Sequence, residues 1–578
     1  MRYLVLLVAA FVIAAPTGAT TTARVLHVTA GVDGAPGSLR NLVERVAKPG
    51  DRIVFPTALR IELRRKLTIP RSLAGLTIDG STAAGVPELV GVRSRGGTFI
   101  QVDADRVTLR RLKLNSVPVV FESHAEGGQE VGPRFARVLD VETTGSLPGR
   151  AGLKFSFARA FQVRGGRITN SISLTGTQGG LISDVTLAAK GTAVSDENSD
   201  LLRLEANTLE SGRIALQSQG VAVARNQVKA GATLHVWIVA GGSGRIDANR
   251  IEGGRIVAQA GGELRVGNNV ISGTWRRGVG LPGISAGCAT DGKRPRLAVN
   301  GNTVTGMRVG ISVVCGRDAQ ISLQHNTLER NGTGMLVAAR EVSIVGGKVS
   351  ENIGAGIHVR AGSRATISKI AAGGNGGLAI NREDAEPRPP KLEYDKDKDR
   401  IRGVTCPECI VELYAAEEGD EAGEGLGITG TVRASSNGSF VYPATGTVQC
   451  PHPALLTATA TRVKGKDKGT SEFSADLKCE PIKLLASATY GAGGPRTNVC
   501  VFVRVGPPQV AKGSVTMSGP SGGGTREFET SADGNARVVF PVTAFGRYTA
   551  TVKLLGKSTV TAADVGSLSG DPIGCRVG

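Results

Sequence analysis

Aromatic residues are scarce. Phe, Trp and Tyr make up 4% of the 578 residues, and only two are Trp. A core built around large rings is excluded, so small aliphatic side chains must fill it. Acid is also in deficit, with 50 Asp+Glu against 69 Lys+Arg and a formal charge of +19. Beyond the first 23 residues no run is apolar enough to cross a bilayer as a helix. The 81 Gly show no three-residue period, which excludes a collagen-like rod. A hydrophobic share of 40% is too high for a disordered chain. Many Gly, few rings and many β-branched residues suit thin, repeated β layers.

The charge is unevenly placed. Residues 381–578 carry 23 basic and 23 acidic side chains, so the whole excess lies in residues 1–380. A basic surface attracts anionic partners such as acidic polysaccharides, teichoic-type polymers, lipid head groups or nucleic acid. It also serves as a plain solubilising surface. Arg2, the unbroken apolar stretch Leu4 to Ala15, and the small residues after Pro16 read as a secretory signal over residues 1–23. The eight cysteines, Cys288, Cys315, Cys406, Cys409, Cys450, Cys479, Cys500 and Cys575, then read as disulfides. Cys406-Pro-Glu-Cys409 and His452 superficially offer zinc ligands, but no second tight pair accompanies them. Asp395-Lys-Asp397-Lys-Asp399 opens like a calcium loop, yet Arg400 replaces the required Gly and Cys406 the last carboxylate. No metal is expected.

A short phrase recurs: an aliphatic stretch, Asn, any residue, then Val, Ile or Leu. Its Asn residues are Asn207, Asn226, Asn249, Asn269, Asn302 and Asn326, with Gly347 in a degenerate copy. The steps between them are 19, 23, 20, 33, 24 and 21 residues. A second phrase, Gly310-Ile-Ser-Val313, Gly334-Met-Leu-Val337 and Gly356-Ile-His-Val359, follows at a nearly fixed offset. Each period thus holds at least two short strands. One such coil cannot bury its apolar face alone, but stacked coils share a core. The pattern predicts a right-handed parallel β-helix. The repeated Asn suits a turn, where its side chain bonds the backbone and it tolerates a left-handed conformation. Cys288 lies four residues after Ile284 and Cys315 four after Ile311, so the two occupy equivalent places in consecutive coils. Strands ~4.8 Å apart can be bridged there, which predicts a 288–315 disulfide.

The segment Gly37-Ser-Leu-Arg40-Asn-Leu-Val-Glu-Arg-Val46, followed by Pro49-Gly-Asp-Arg-Ile-Val-Phe55 and Leu76-Thr-Ile-Asp-Gly80, resembles the start of secreted bacterial β-helix proteins with a Cys-Ser-Leu-Arg-Glu-Ala-Ile motif. Here Gly37 stands for the Cys and Asn41-Leu-Val43 for Glu-Ala-Ile. The resemblance covers roughly residues 25–380 and implies the pectin-lyase-like fold. Ser38 to Val46 reads as an amphipathic helix with Leu39, Leu42, Val43 and Val46 on one face, capping the open first coil. The expected organisation is all-β. After the signal comes a β-helix with its helical cap over 24–380 and a Pro-rich charged linker over 381–392. An immunoglobulin-like or carboxypeptidase-regulatory-like β-sandwich follows over 393–480, then a second small β-sandwich over 481–578. Bridges 406–409, 450–479 and 500–575 are expected, with connectivity open. The acidic run Glu417 to Glu424 reads as a solvated loop.

Many pectin-lyase-like proteins cleave polysaccharides, so the resemblance makes an enzyme reasonable. Such lyases need a Lys or Arg base and a neutraliser for the uronate carboxylate, often Ca²⁺. Hydrolases need close carboxylates. No Asn-Thr-Asp, Asp-Asp, Gly-His-Gly or Arg-Ile-Lys string is present. Weak catalytic candidates are Asp196, Glu197, Asp200 and Arg203, which also read as a polar turn. The insertion behind the 33-residue step carries Trp275, Arg276, Arg277, Lys293, Arg294 and Arg296. A Trp face stacks on sugar rings and the cations pair with carboxylate or sulfate, so these are the glycan-binding candidates. His235 and His358 read as wall residues. The reading is a secreted or cell-surface β-helix protein, a monomer, binding acidic polysaccharide or another envelope polyanion through its basic solenoid. Nucleic acid is not an expected partner, nor is a transmembrane segment once the signal is removed. The alternatives are a polysaccharide lyase or glycoside hydrolase and a purely structural or adhesive surface protein. No cofactor is expected, and Ca²⁺ enters only with a lyase.

Overall fold

The computed structural model describes residues 23–92, 99–126, 129–145, 151–275, 280–289, 294–316, 318–384, 386–395, 400–416, 424–443, 455–465, 467–478, 483–493, 496–506, 511–544, 546–554 and 557–565. The expected signal lies outside them, apart from residue 23. The chain divides into two compact units, residues 1–212 and 213–578.

Each unit contains coils of a parallel β-helix with three sheets. In the first unit one sheet runs through Val25–His27, Arg52–Val54, Thr77–Asp79, Thr108–Arg110, Arg137–Leu139, Gln162–Arg164, Leu181–Ser183 and Leu202–Glu205, each in register with the next. The alternation of strand side chains puts one row inside, here Ile53, Ile78, Leu109, Val138, Val163, Ile182 and Leu204. The rings that do occur in this core stack on one another, Phe121 on Phe155 and Phe155 on Phe161.

The expected helix is present as Leu39–Asn41 continued by a wide turn over Leu42–Val46, with the Asn41 N–H donating to Ser38 Oγ. Leu39, Leu42 and Val43 are buried, but Val46 is 38% exposed, because the wider turn rotates it off the apolar face. Arg40 is only 2% exposed. It forks onto Asp33 and donates to the carbonyls of Arg65 and Lys66.

In the second unit a sheet runs through Thr233–Asp247, Arg255–Ala260, Pro282–Cys288, Val309–Cys315, Thr333–Ala339, Ile357–Val359 and Ile380–Arg382. Cys288 and Cys315 are bonded across consecutive coils, with Cα atoms 5.1 Å apart. Cys406 and Cys409 are also bonded. Cys500 is in a disulfide, whereas Cys450, Cys479 and Cys575 lie outside the described residues.

The repeated Asn residues form an internal ladder. The Oδ1 of Asn249, Asn269, Asn302 and Asn326 each accepts the backbone N–H and the Nδ2 of the ladder Asn one coil earlier, at 2.9–3.1 Å. The left-handed residue is not the Asn but the one before it: Arg225, Ala248, Asn268, Gly301 and His325. That residue turns the corner, which leaves the Asn free to aim inward. A second ladder, absent from the sequence reading, runs Asn331, Asn352, Asn375.

Residues 391–478 form two antiparallel sheets around one core that includes Ile401, Val411, Leu413, Phe440 and Leu456. Residues 483–565 form another such pair around Val501, Val515, Phe540 and Val552. The first sandwich closes the last coil of its unit. Thr470 Oγ1 bonds both backbone groups of Ile367, and the Lys369 N–H meets Glu412 and Tyr414. Burial and the Glu412 charge push the Tyr414 phenol up. Glu424 ends the second ladder, accepting from the N–H groups of Gly374 and Asn375 and from Asn375 Nδ2. It is 1% exposed, so it is no solvated loop residue. Glu424→Ala strands three donors. A loss of about 3 kcal/mol in the unfolding transition of this end is expected by urea denaturation.

Candidate functional site

At one corner of the second unit, four successive coils turn from a short strand into the sheet just described. The turns carry Gly231, Gly253, Gly273 and Gly306, and the missing side chains leave a groove of about 640 Å³. Trp275, Leu281 and Met307 supply its apolar surface, and Arg255, Arg308, Thr233 and Thr274 its polar groups. The size suits a few sugar rings. Trp275 is pinned by its backbone N–H to the Gly306 carbonyl at 2.8 Å. Its ring lies where a Cβ on Gly280 or Gly332 would stand, so both positions need glycine. The indole Nε1 is enclosed and has no hydrogen-bond partner among the described residues.

The groove's cations differ from their neighbours. Arg245, Arg250 and Arg265 each bind an acid two residues away, Asp247, Glu252 and Glu263, at 2.6–3.0 Å. These three charges are thereby locally offset. Among the described residues Arg255 and Arg308 form no ion pair, and Arg255 Nε is enclosed without a partner. On the sheet face beside Arg255, Thr233, His235 and Trp237 point outward from one strand while Leu234, Val236 and Ile238 face the core. Burial and the charges of Arg213 and Arg255 hold the His235 imidazolium below the usual histidine range.

The sequence candidates fall in several places. Trp275 lines the groove; Arg276, Arg277 and Lys293 lie outside the described residues. Arg294 sits away from it, 3.5 Å from Asp318, which Arg340 also binds. Arg296 is exposed and stands in register with Glu263 and Gln320. In the first unit, Asp196 is buried while Glu197 is exposed on the opposite face of the same strand. Asp200 accepts from the Leu201 N–H, and Arg203 pairs with Glu205 at 2.5 Å. These four do not converge. His358 lies on a sheet face at 2.9 Å from Glu383. Among the described residues no group of three His, Cys, Asp or Glu could hold a metal, and no helix is long and apolar enough to cross a membrane.

The parallel coils just described coincide with a match to a known family model. Residues 158–337 match the family model of the right-handed β-helix region. The chain is also similar to several solved structures. The A-module of the Azotobacter vinelandii mannuronan C-5 epimerase AlgE4 is 11% identical, with a TM-score of 0.33 over 58% of this chain and 89% of that one. A tailspike protein variant of E. coli bacteriophage HK620 in complex with a hexasaccharide is 11% identical, with a TM-score of 0.36 over 74% and 86%. A double mutant of the periplasmic alginate epimerase AlgG is 16% identical, with a TM-score of 0.27 over 60% and 83%. Likeness at these scores says nothing of function. No curated protein matches the chain.

Sequence reasoning missed Arg255 and Arg308 because they lie 53 residues apart and come to one groove only through the stacking of coils. A signal existed: each follows its ladder residue, Asn249 or Asn302, by six positions.

Proposed function

We propose that the protein binds an acidic polysaccharide in the corner groove of its second unit. The observation that carries this is the juxtaposition of an aromatic platform, Trp275, with two cations, Arg255 and Arg308, that have no acidic partner among the described residues. Sugar C–H groups pack on an indole face, and a guanidinium matches a uronate carboxylate or a sulfate with two hydrogen bonds. A hydrolase would use a pair of carboxylates, and the described residues that line the groove include none. In this reading residues 1–23 direct export, and the chain works outside the cell or at its surface. Residues 24–380 present the glycan site, and 393–480 and 481–578 are the attached β-sandwiches.

The test is retention on immobilised pectate, alginate and heparin against neutral dextran. At least one acidic polymer is expected to hold the protein and release it with salt, because screening weakens the guanidinium contacts. Trp275→Ala should weaken that binding roughly tenfold. Equal retention on dextran, or none on any acidic polymer, overturns the reading.

A further inference from the structure

Three polar atoms are enclosed without a hydrogen-bond partner on one face of the sheet beside the groove: His235 Nε2, Trp237 Nε1 and Arg255 Nε. A buried polar atom left unpaired costs about 1–3 kcal/mol, and native structures leave few of them. All three are covered in the free protein, so a ligand can complete their bonding only if these side chains turn outward as it binds. Arg213, Thr233 and Arg255 are consecutive in one row across the sheet, and Ala215, His235 and Val257 form the next row on the same face. Neighbouring strands lie ~4.8 Å apart, so His235 sits within reach of both guanidinium-bearing strands. Thr233 and Arg255 also line the groove, which makes this face continuous with it.

We infer that the acidic glycan reaches from the groove onto His235, and that this imidazole takes up a solvent proton as the glycan binds. The inference rests on the glycan-binding reading and adds its regulation by pH. The charged groups acting on His235 are Arg213 from the strand on one side and Arg255 from the strand on the other. Burial, and then both cations, favour the neutral imidazole in the free protein. A carboxylate or sulfate between them offsets that field and offers an acceptor. The bound imidazole therefore holds its proton to higher pH than the free one. The sign follows. Affinity is flat above the bound-state pKa, rises as pH falls below it, and levels off below the free-state pKa. One proton allows at most about a tenfold gain per pH unit. Trp237, two residues on, supplies an indole N–H to the same ligand.

The experiment is calorimetric titration of the full chain with oligosaccharides of pectate, alginate and heparin between about pH 5 and 8, in two buffers of different ionisation enthalpy. Their carboxylates ionise near about pH 3.5 and keep their charge across the range. The expected result is proton uptake of up to one per site and affinity that rises toward acid. His235→Gln and His235→Asn should bind with no uptake and a flat profile. Trp237→Phe, which keeps a ring and loses the N–H, should bind several-fold more weakly with the slope retained. Binding without proton uptake by the unaltered protein overturns the inference and leaves the glycan reading intact. No binding of any of the three at any pH overturns both.

Discussion

Asn302→Ala is expected to lower stability by roughly 4 kcal/mol, more than most single substitutions do. Asn302 is fully buried inside the first ladder, between Asn269 and Asn326. Its Oδ1 accepts from the backbone N–H and Nδ2 of Asn269, at 3.0 and 2.9 Å. Its Nδ2 donates to the Val266 and Asn300 carbonyls and to Asn326 Oδ1. Alanine removes the acceptor that two donors of the neighbouring coil share and the donor to the Val266 carbonyl. Each stranded buried group costs about 1–3 kcal/mol. Asn302→Asp keeps the acceptor but turns a second acceptor toward Asn326 Oδ1, so it should also destabilise. Asn300→Ala is the control. Its Oδ1 accepts one exposed bond from the Gln324 N–H, and its loss should stay under about 1 kcal/mol. Urea midpoints of the three variants check the order.

The second large effect concerns recognition. Arg255→Ala combined with Arg308→Ala should weaken acidic glycan binding about 100-fold and flatten its salt dependence. A hydrogen bond to a charged group contributes about 1.5–3 kcal/mol, and two such residues together reach that figure. The matching control is Arg250→Ala with Arg265→Ala, which removes the same net charge from the same unit. Those two arginines already bind Glu252 and Glu263. Their loss should change affinity no more than about twofold. Equal effects of the two pairs would mean that net charge, not the groove, holds the polymer. Affinity measured at two salt concentrations separates the cases.

Much of the fold could be read from the sequence because a solenoid repeats its instructions. The Asn phrase, the following Gly-aliphatic phrase and the equivalent placement of Cys288 and Cys315 each mark one position of a coil. Their spacing therefore gives the stacking directly. Details that depend on a single coil did not emerge. The rotation that exposes Val46 comes from one wide turn, and the burial of Arg40 requires Asp33 and two carbonyls from later residues. Glu424 belongs to an acidic run whose composition reads as solvent-facing. Only the open end of the second ladder gives it three donors to accept from.

The candidate site was half legible. Trp275 was visible as a rare aromatic in a long insertion. Arg255 and Arg308 were hidden among many arginines. The lack of an acid two residues away sets them apart from Arg245, Arg250 and Arg265 in the sequence itself, but that they line one groove with Trp275 is spatial. His235 and Trp237 carried no signal beyond strand alternation. Their meaning lies in which atoms of the neighbouring coils fail to meet them.

The central claim is that an acidic glycan lies against Trp275. The chain has only two Trp, so a Trp237→Phe variant leaves Trp275 as the single indole reporter. Its fluorescence should change saturably on titration with pectate, alginate or heparin oligosaccharides, return on adding salt, and ignore neutral dextran. Binding of the same oligosaccharides, measured independently, with no change in Trp275 emission would place the polymer elsewhere and contradict the account.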